Sequence, residues 1–399
     1  MKEMNNSSFM VNKTEQEIIL NQMRDSKKKN SIEIIKEELK KTKIEEPLEK
    51  YKSQVVPLEI ELFKNLNLEW GVDIISEDIP LIDDKKYYCH LIRTANPDPN
   101  KDNFFLIHGF ISSGMHFISI LPYLIKRYNI FIPDTIGMGL SARPQVDFTS
   151  PIQCEEYFIN VYHVIIESIF FRKIYNIKEE YYLCGHSLGG FIASRYMLKY
   201  PKGIKKVLLL SPCGITDYHI RGTHLYSEDS SCFFCGRMIF PSLFWPCKLR
   251  VQNLYRCCCL KNMIKRAYGK YVFTIDEDEI KRNKDGTKFK VDQKKIGEIL
   301  EKLAIISLEY PDDLYECIYY ILTLPPPVVL LPIEIKLMQL NKKQIIIVFG
   351  KDDFMEKIGA YRLSKYDPEK YKVFTLKYGG HSFALENPKE LCLIINDFF

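Results

Sequence analysis

Gly185-His186-Ser187-Leu188-Gly189-Gly190 is the most chemically pointed stretch of the chain. It follows an apolar, β-rich run, Tyr181–Cys184, and precedes a helical pattern, Phe191–Tyr200. A serine in G-x-S-x-G between a strand and a helix has the setting of an activated nucleophile. Gly185 and Gly189 are small, as a tight strand-to-helix turn requires where the chain passes close to itself. The turn lifts the Ser187 hydroxyl out of the sheet to a helix N-terminus, where peptide dipoles favour a developing negative charge. Upstream, the run Phe104–Ile107 leads into His108-Gly109-Phe110. A strand ending in His-Gly before such an elbow supplies the other half of an oxyanion hole, so the backbone N–H groups of Phe110 and Leu188 are its expected donors. His108 is then expected to shape the loop and His186 to point away from the reacting centre.

A serine nucleophile needs a base and a group that orients the base. Of eight histidines, only His381 lies beyond His224, in Gly379-Gly380-His381 just after the last apolar run. The glycines let that loop bend over the sheet edge. Asp352 and Asp353 follow the run Gln344–Phe349 through Gly350-Lys351. Asp353, 28 residues before His381, is the expected orienting acid, with Asp352 as the fallback. The chain order Ser, acid, His is the one this architecture uses.

The elements that must position these groups are short apolar runs. They are Tyr87–Ile92, Phe104–Ile107, Ile130–Pro133, Tyr181–Cys184, Lys206–Leu210, Gln344–Phe349 and Lys372–Leu376. Runs without polar alternation are strands buried on both faces, and their alternation with helical patterns predicts a mostly parallel sheet flanked by helices. Residues 213–340 lack that rhythm and are expected to be an inserted cap. The expected organisation is a charged extension over 1–55, a core over 56–212, the cap over 213–340, and the rest of the core over 341–399. Within the extension, Thr14-Glu-Gln-Glu17 carries a capping-box pattern.

The chain has 399 residues and a formal net charge of +5, too weak a balance to argue for nucleic acid. Its 46% hydrophobic content is enough for a packed core and rules out wholesale disorder. No apolar stretch reaches the roughly 18 residues of a spanning helix. The start MKEMNNSSFM has no apolar signal region and no Gly after Met1, so a cytoplasmic protein with free thiols is expected. Cys184 and Cys392 sit in apolar runs and read as core residues. Cys232-x2-Cys235 has no second C-x-x-C of matching spacing. No metal and no organic cofactor are expected.

On these residues the chain resembles the α/β-hydrolase fold family over about 56–399, and within it the abhydrolase subfamily of lipid enzymes. That subfamily includes N-acylphospholipid lipases, lysophosphatidic acid acyltransferases and a lipase co-activator. The likeness is carried by Asp134-Thr-Ile-Gly137-Met-Gly139-Leu-Ser141-Ala-Arg143-Pro144, by Tyr271-Val-Phe-Thr-Ile-Asp-Glu-Asp with Asp285-Gly286-Thr287, and by Phe349-Gly350-Lys-Asp-Asp353-Phe354-Met355-Glu356. His381-Ser-Phe-Ala-Leu-Glu386-Asn387-Pro388 resembles a His-x4-Asp motif tied there to acyl transfer. Glu386 replaces the motif's Asp, which weakens the acyltransferase inference but keeps a carboxylate. The co-activator branch lacks the serine that this chain has at 187.

Residues 232–270 join an aromatic, apolar stretch (Phe233, Phe234, Phe240, Phe244, Trp245) to a basic one (Lys248, Arg250, Arg256, Lys261, Lys265, Arg266, Lys270). Wedges beside cations suit peripheral contact with an anionic membrane or a lipid droplet. The competing reading is a cap core with a solvated basic face. Cys257-Cys258-Cys259 is a candidate for S-acylation. The expected function is a serine hydrolase acting on lipid acyl esters, with lysophosphatidic acid acyltransferase activity as an implied possibility. The alternative is a non-catalytic lipid-binding protein that recruits another lipase.

Overall fold

The structure, a computed structural model, describes residues 33–37, 39–40, 48–83, 85–171, 177–217, 274–309, 317, 321, 332–340 and 344–399. The capping-box helix expected near residue 14 and the cap segment 232–270 lie outside them.

Eight strands form one sheet: β1 (Ile74–Pro80), β2 (Tyr88–Thr94), β3 (Asp102–Ile107), β4 (Tyr128–Pro133), β5 (Tyr181–His186), β6 (Ile204–Leu210), β7 (Ile345–Phe349) and β8 (Tyr371–Thr375). Their order is β1-β2-β4-β3-β5-β6-β7-β8. β1 and β2 run antiparallel to their neighbours, and β3 to β8 are mutually parallel. This is the mostly parallel sheet that the apolar runs predict, in the α/β-hydrolase arrangement that the resemblance implies.

The inner strands are apolar on both sides because both of their faces are covered. Phe105, Ile107, Leu183, Val207, Leu209, Ile345 and Ile347 point into one core layer. The alternating Phe104, Leu106, Cys184, Leu208, Leu210, Ile346 and Val348 point into the other. A period of two with apolar residues in both phases leaves no face for water. Cys184 and Cys392 are buried free thiols.

β1 did not register as a strand in the sequence. It reads Ile-Ile-Ser-Glu-Asp-Ile-Pro and lies at the sheet edge, where charged residues and a terminal proline blunt further pairing. The helix α1 (Glu49–Asn65) crosses the expected boundary at residue 55 and sinks Val55, Leu62 and Phe63 into the core. Further upstream, Ile35 and Leu39 are also core residues. The charged stretch before residue 55 thus contributes side chains to the core. Beyond β6, α2 (Gln293–Glu309) lies against α1, with Lys295 paired to Glu61 at 2.6 Å. Among the described residues no helix is long and apolar enough to cross a membrane.

Candidate active site

The parallel strands end on one edge of the sheet, where open α/β sheets carry their ligands. Ser187 leaves β5 with φ +54° and ψ −116° and opens the helix α3 (Leu188–Lys199). A left-handed φ at a non-glycine residue costs about 1–3 kcal/mol and persists only where its surroundings impose it. Here the Ser187 N–H donates to Leu210 O on β6 at 2.9 Å, and its carbonyl accepts from Phe191 and Cys213. A Cβ on Gly185 would stand 2.2 Å from the carbonyl oxygen of Gly189. One on Gly189 would stand 2.2 Å from Ile107 O and 2.5 Å from His108 O. These are backbone obstacles, so the glycines flanking Ser187 are there because no side chain fits.

The turn after β3 passes the same spot: a Cβ on Gly109 would lie 3.1 Å from that of Ser187. Phe110 follows it, half-buried. Leu188 is the first residue of α3, so its N–H has no acceptor within the helix. His108 is fully buried and fixes this turn. Its Nδ1–H donates to Gly109 O at 2.8 Å, while Nε2 accepts the Thr135 N–H at 2.9 Å. Burial lowers its pKa, against the pull of Asp134, so the ring is neutral. Asp134 is itself buried and accepts the N–H groups of Gly114 (2.7 Å) and Leu140 (2.8 Å), tying the turns after β3 and β4 together.

The acid turn after β7 and the histidine loop after β8 are zipped to each other. The Asp352 N–H donates to Gly379 O at 3.0 Å, and a Cβ on Gly350 would meet Gly380 O at 2.3 Å. Asp352 is exposed, whereas the Asp353 side chain is wholly buried. Asp353 Oδ1 accepts from His381 Nδ1 at 3.0 Å and from the Met355 N–H at 3.0 Å. Glu386 faces inward on the following turn and accepts the Gly380 N–H at 2.5 Å.

His381 is also held from the serine's side. His186 Nε2–H donates to its carbonyl at 2.8 Å, and the two rings lie 4.7 Å apart. Behind His186, His116 stacks at 4.0 Å. Burial is the main cause that lowers both of these histidines, His116 to about 3 and His186 well below its ordinary value. Both remain neutral, leaving His381 as the half-exposed imidazole of the group. Among the described residues no hydrogen bond joins Ser187 Oγ to His381. Such contacts are often long in ligand-free sites and tighten with substrate.

Sequence reasoning missed Ser211 and His116. Ser211, the residue after β6, donates its hydroxyl to Asp353 Oδ2 and lies 3.1 Å from His381 Nδ1. A lone serine behind an apolar run carries no spacing that would mark it.

The chain matches the model of the alpha/beta hydrolase fold over residues 102–228. It is 23% identical to "Protein ECM18" of Saccharomyces cerevisiae, over 71% of this chain and 68% of that one. It is 28% identical to a "Probable 1-acylglycerol-3-phosphate O-acyltransferase" of Oryza sativa subsp. japonica, over 31% of this chain and 28% of that protein. It is 32% identical to the human "(Lyso)-N-acylphosphatidylethanolamine lipase", over 30% of this chain and 33% of the other. The match thus spans about a third or less of the rice and human proteins. Among solved structures, carboxylesterase CesB of Bacillus subtilis superposes with a TM-score of 0.53 at 13% identity, over 86% of this chain and 96% of that one. A bacterial membrane phospholipase A gives 0.53 at 15% identity, over 87% and 92%. The chain has the α/β-hydrolase fold, and within it resembles the abhydrolase subfamily of lipid acyltransferases and lipases.

Proposed function

We propose that the chain is a serine hydrolase of lipid acyl esters, acting on (lyso)phospholipids or related lipids, with acyl transfer to lysophosphatidic acid as a second fate of the same intermediate. One observation carries the reading. His381 Nδ1 is hydrogen-bonded at 3.0 Å to the buried Asp353, in a loop bound directly to the residue before the elbow serine. The lipid class is supported by relatives named as lipase and acyltransferase.

Ser187 Oγ attacks the acyl carbonyl carbon while its proton passes to His381 Nε2. The Nδ1–H stays on the ring and points at Asp353, whose charge stabilises the imidazolium. The N–H groups of Phe110 and Leu188 receive the oxyanion. Gly185, Gly189 and Gly109 give the elbow and its opposing turn their close approach, His108 fixes that turn, and Glu386 braces the histidine loop. Collapse of the tetrahedral intermediate breaks the ester C–O bond, and the leaving alcohol takes the proton from Nε2. His381 then activates water, giving the free acid, or the hydroxyl of a lysophospholipid, giving the acylated product. The cap stretch 232–270 provides peripheral contact with a membrane or lipid droplet through its aromatic and basic residues.

Fluorophosphonate labelling tests this directly. The wild type should be tagged and Ser187→Ala should not. A folded wild type that resists the probe would reject the enzyme and favour the recruiter of another lipase.

A further inference from the structure

Ser211 stands at the end of β6, between the strand that carries the nucleophile and the strand that carries the acid. It is fully buried and has φ +47°. Its N–H donates to Val348 O on β7 at 2.8 Å, and the carbonyl of the preceding Leu210 accepts from the Ser187 N–H. Pro212 then packs against Gly190, at 2.7 Å from where a Cβ there would be. Ser211 is therefore fixed to both halves of the site, in a backbone conformation that glycine would adopt at less cost.

A buried hydroxyl needs partners, and backbone carbonyls commonly supply them. This one goes elsewhere. Its hydrogen is given to Asp353 Oδ2, and its oxygen lies 3.1 Å from His381 Nδ1, against 3.0 Å for Asp353 Oδ1. The Nδ1–H thus faces two acceptors at once. The hydroxyl dipole has its positive end on the carboxylate and its negative end on the imidazole. It favours the ionised acid and the protonated ring together, which is the charge pair formed when Ser187 gives up its proton.

We propose that Ser211 is a positioning residue of the site, a fourth member of the relay that shares the His381 Nδ1–H with Asp353 and holds the second carboxylate oxygen. The proposal rests on the serine-hydrolase reading. Its experiment compares the full-length wild type with Ser211→Ala and Ser211→Gly. Each variant should lose roughly ten- to a hundredfold in kcat toward a short-chain p-nitrophenyl ester, as expected for removing one hydrogen bond to a charged group. KM should hardly move. Glycine relieves the left-handed φ, so Ser211→Gly should melt no lower than Ser211→Ala while losing as much kcat. A serine with only a structural role would let glycine keep its turnover. The downfield proton resonance of the His381 Nδ1–H, which needs no turnover, should be displaced in both variants. Wild-type kcat in either variant, or an undisplaced resonance, overturns the proposal. A wild type without esterase activity counts against the hydrolase reading alone, and the resonance still decides the role of Ser211.

Discussion

His90 on β2 is a buried imidazole with an acid on each ring nitrogen. Asp78 from β1 lies 2.9 Å from Nδ1, and Glu59 from α1 lies 3.4 Å from Nε2. Lys52 covers the other oxygen of Asp78 at 2.7 Å, Ser76 donates to Glu59, and Asp134 is a further carboxylate acting on the ring. Burial by itself would push the His90 pKa down, but Glu59 and Asp78 overcome it and raise the value to about 10. The folded value lies above the unfolded 6.5, so the stabilisation is fully present below pH 6.5 and is lost as pH climbs towards 10. At about 1.36 kcal/mol per pH unit of displacement, the whole effect is roughly 5 kcal/mol. Between pH 6.5 and 8 the linkage relation gives a loss of roughly 1–2 kcal/mol. Urea unfolding of the wild type and His90→Gln across that range measures it. The variant keeps a hydrogen-bonding side chain without the titrating proton, and other ionising groups cancel in the difference. The wild-type advantage should shrink by about that amount as pH rises. Parallel stability curves would show that His90 does not hold the proton.

Other predictions concern the site. Asp353→Asn keeps the shape of a buried side chain but loses its charge, so kcat should fall roughly 10³–10⁴-fold with little change in melting temperature. Normal turnover would remove Asp353 from the relay. Gly189→Ala drives a methyl into the carbonyls of Ile107 and His108. It should abolish fluorophosphonate labelling and cost about 1–3 kcal/mol in urea unfolding, and an active, fully stable variant would mean that the elbow is looser than described. Glu386→Ala removes the acceptor of the Gly380 N–H and should lower kcat about tenfold, while Glu386→Gln, which still offers an oxygen, should fall less. Equal losses in the two variants would show that the charge matters and not the brace.

The parts of this fold that were legible in the sequence are those set by local composition. Runs such as Leu208–Leu210 and Ile345–Phe349 can hardly be anything but strands covered on both faces, and the glycine spacing at 185 and 189 marks a turn with no room for a Cβ. Ser187, Asp353 and His381 stood out because each follows such a run. The preference for Asp353 over Asp352 gains its physical reason only in three dimensions. One carboxylate turns under His381 and its neighbour points to solvent, a difference made by the turn after Gly350. β1 hid behind Ser76, Glu77 and Asp78, which suit an edge; Ser76 and Asp78 serve the His90 cluster and Glu77 pairs with Arg93. That cluster draws on Glu59, Asp78 and His90, from three elements that no local pattern links. Ser211 was silent for the same reason, since its meaning lies in what β5 and β7 bring beside it.

Glu386 stands where the resembled His-x4-Asp motif has its acid, and its carboxylate has a defined partner. It turns back onto the Gly380 N–H, one residue before His381, at 2.5 Å. Gly379 reaches φ +109° so that the loop can present that N–H. The same turn is held by Thr274, whose N–H donates to Leu385 O at 3.2 Å and whose hydroxyl donates to Glu386 O. Glu386 therefore links Thr274, through its carbonyl, to the residue before His381, through its carboxylate. On the proposed mechanism its contribution is made through where His381 stands, the same for water and for a lysophospholipid hydroxyl. On that mechanism Glu386 gives no preference between the two acceptors, and one has to come from the residues that line their approach to the acyl group.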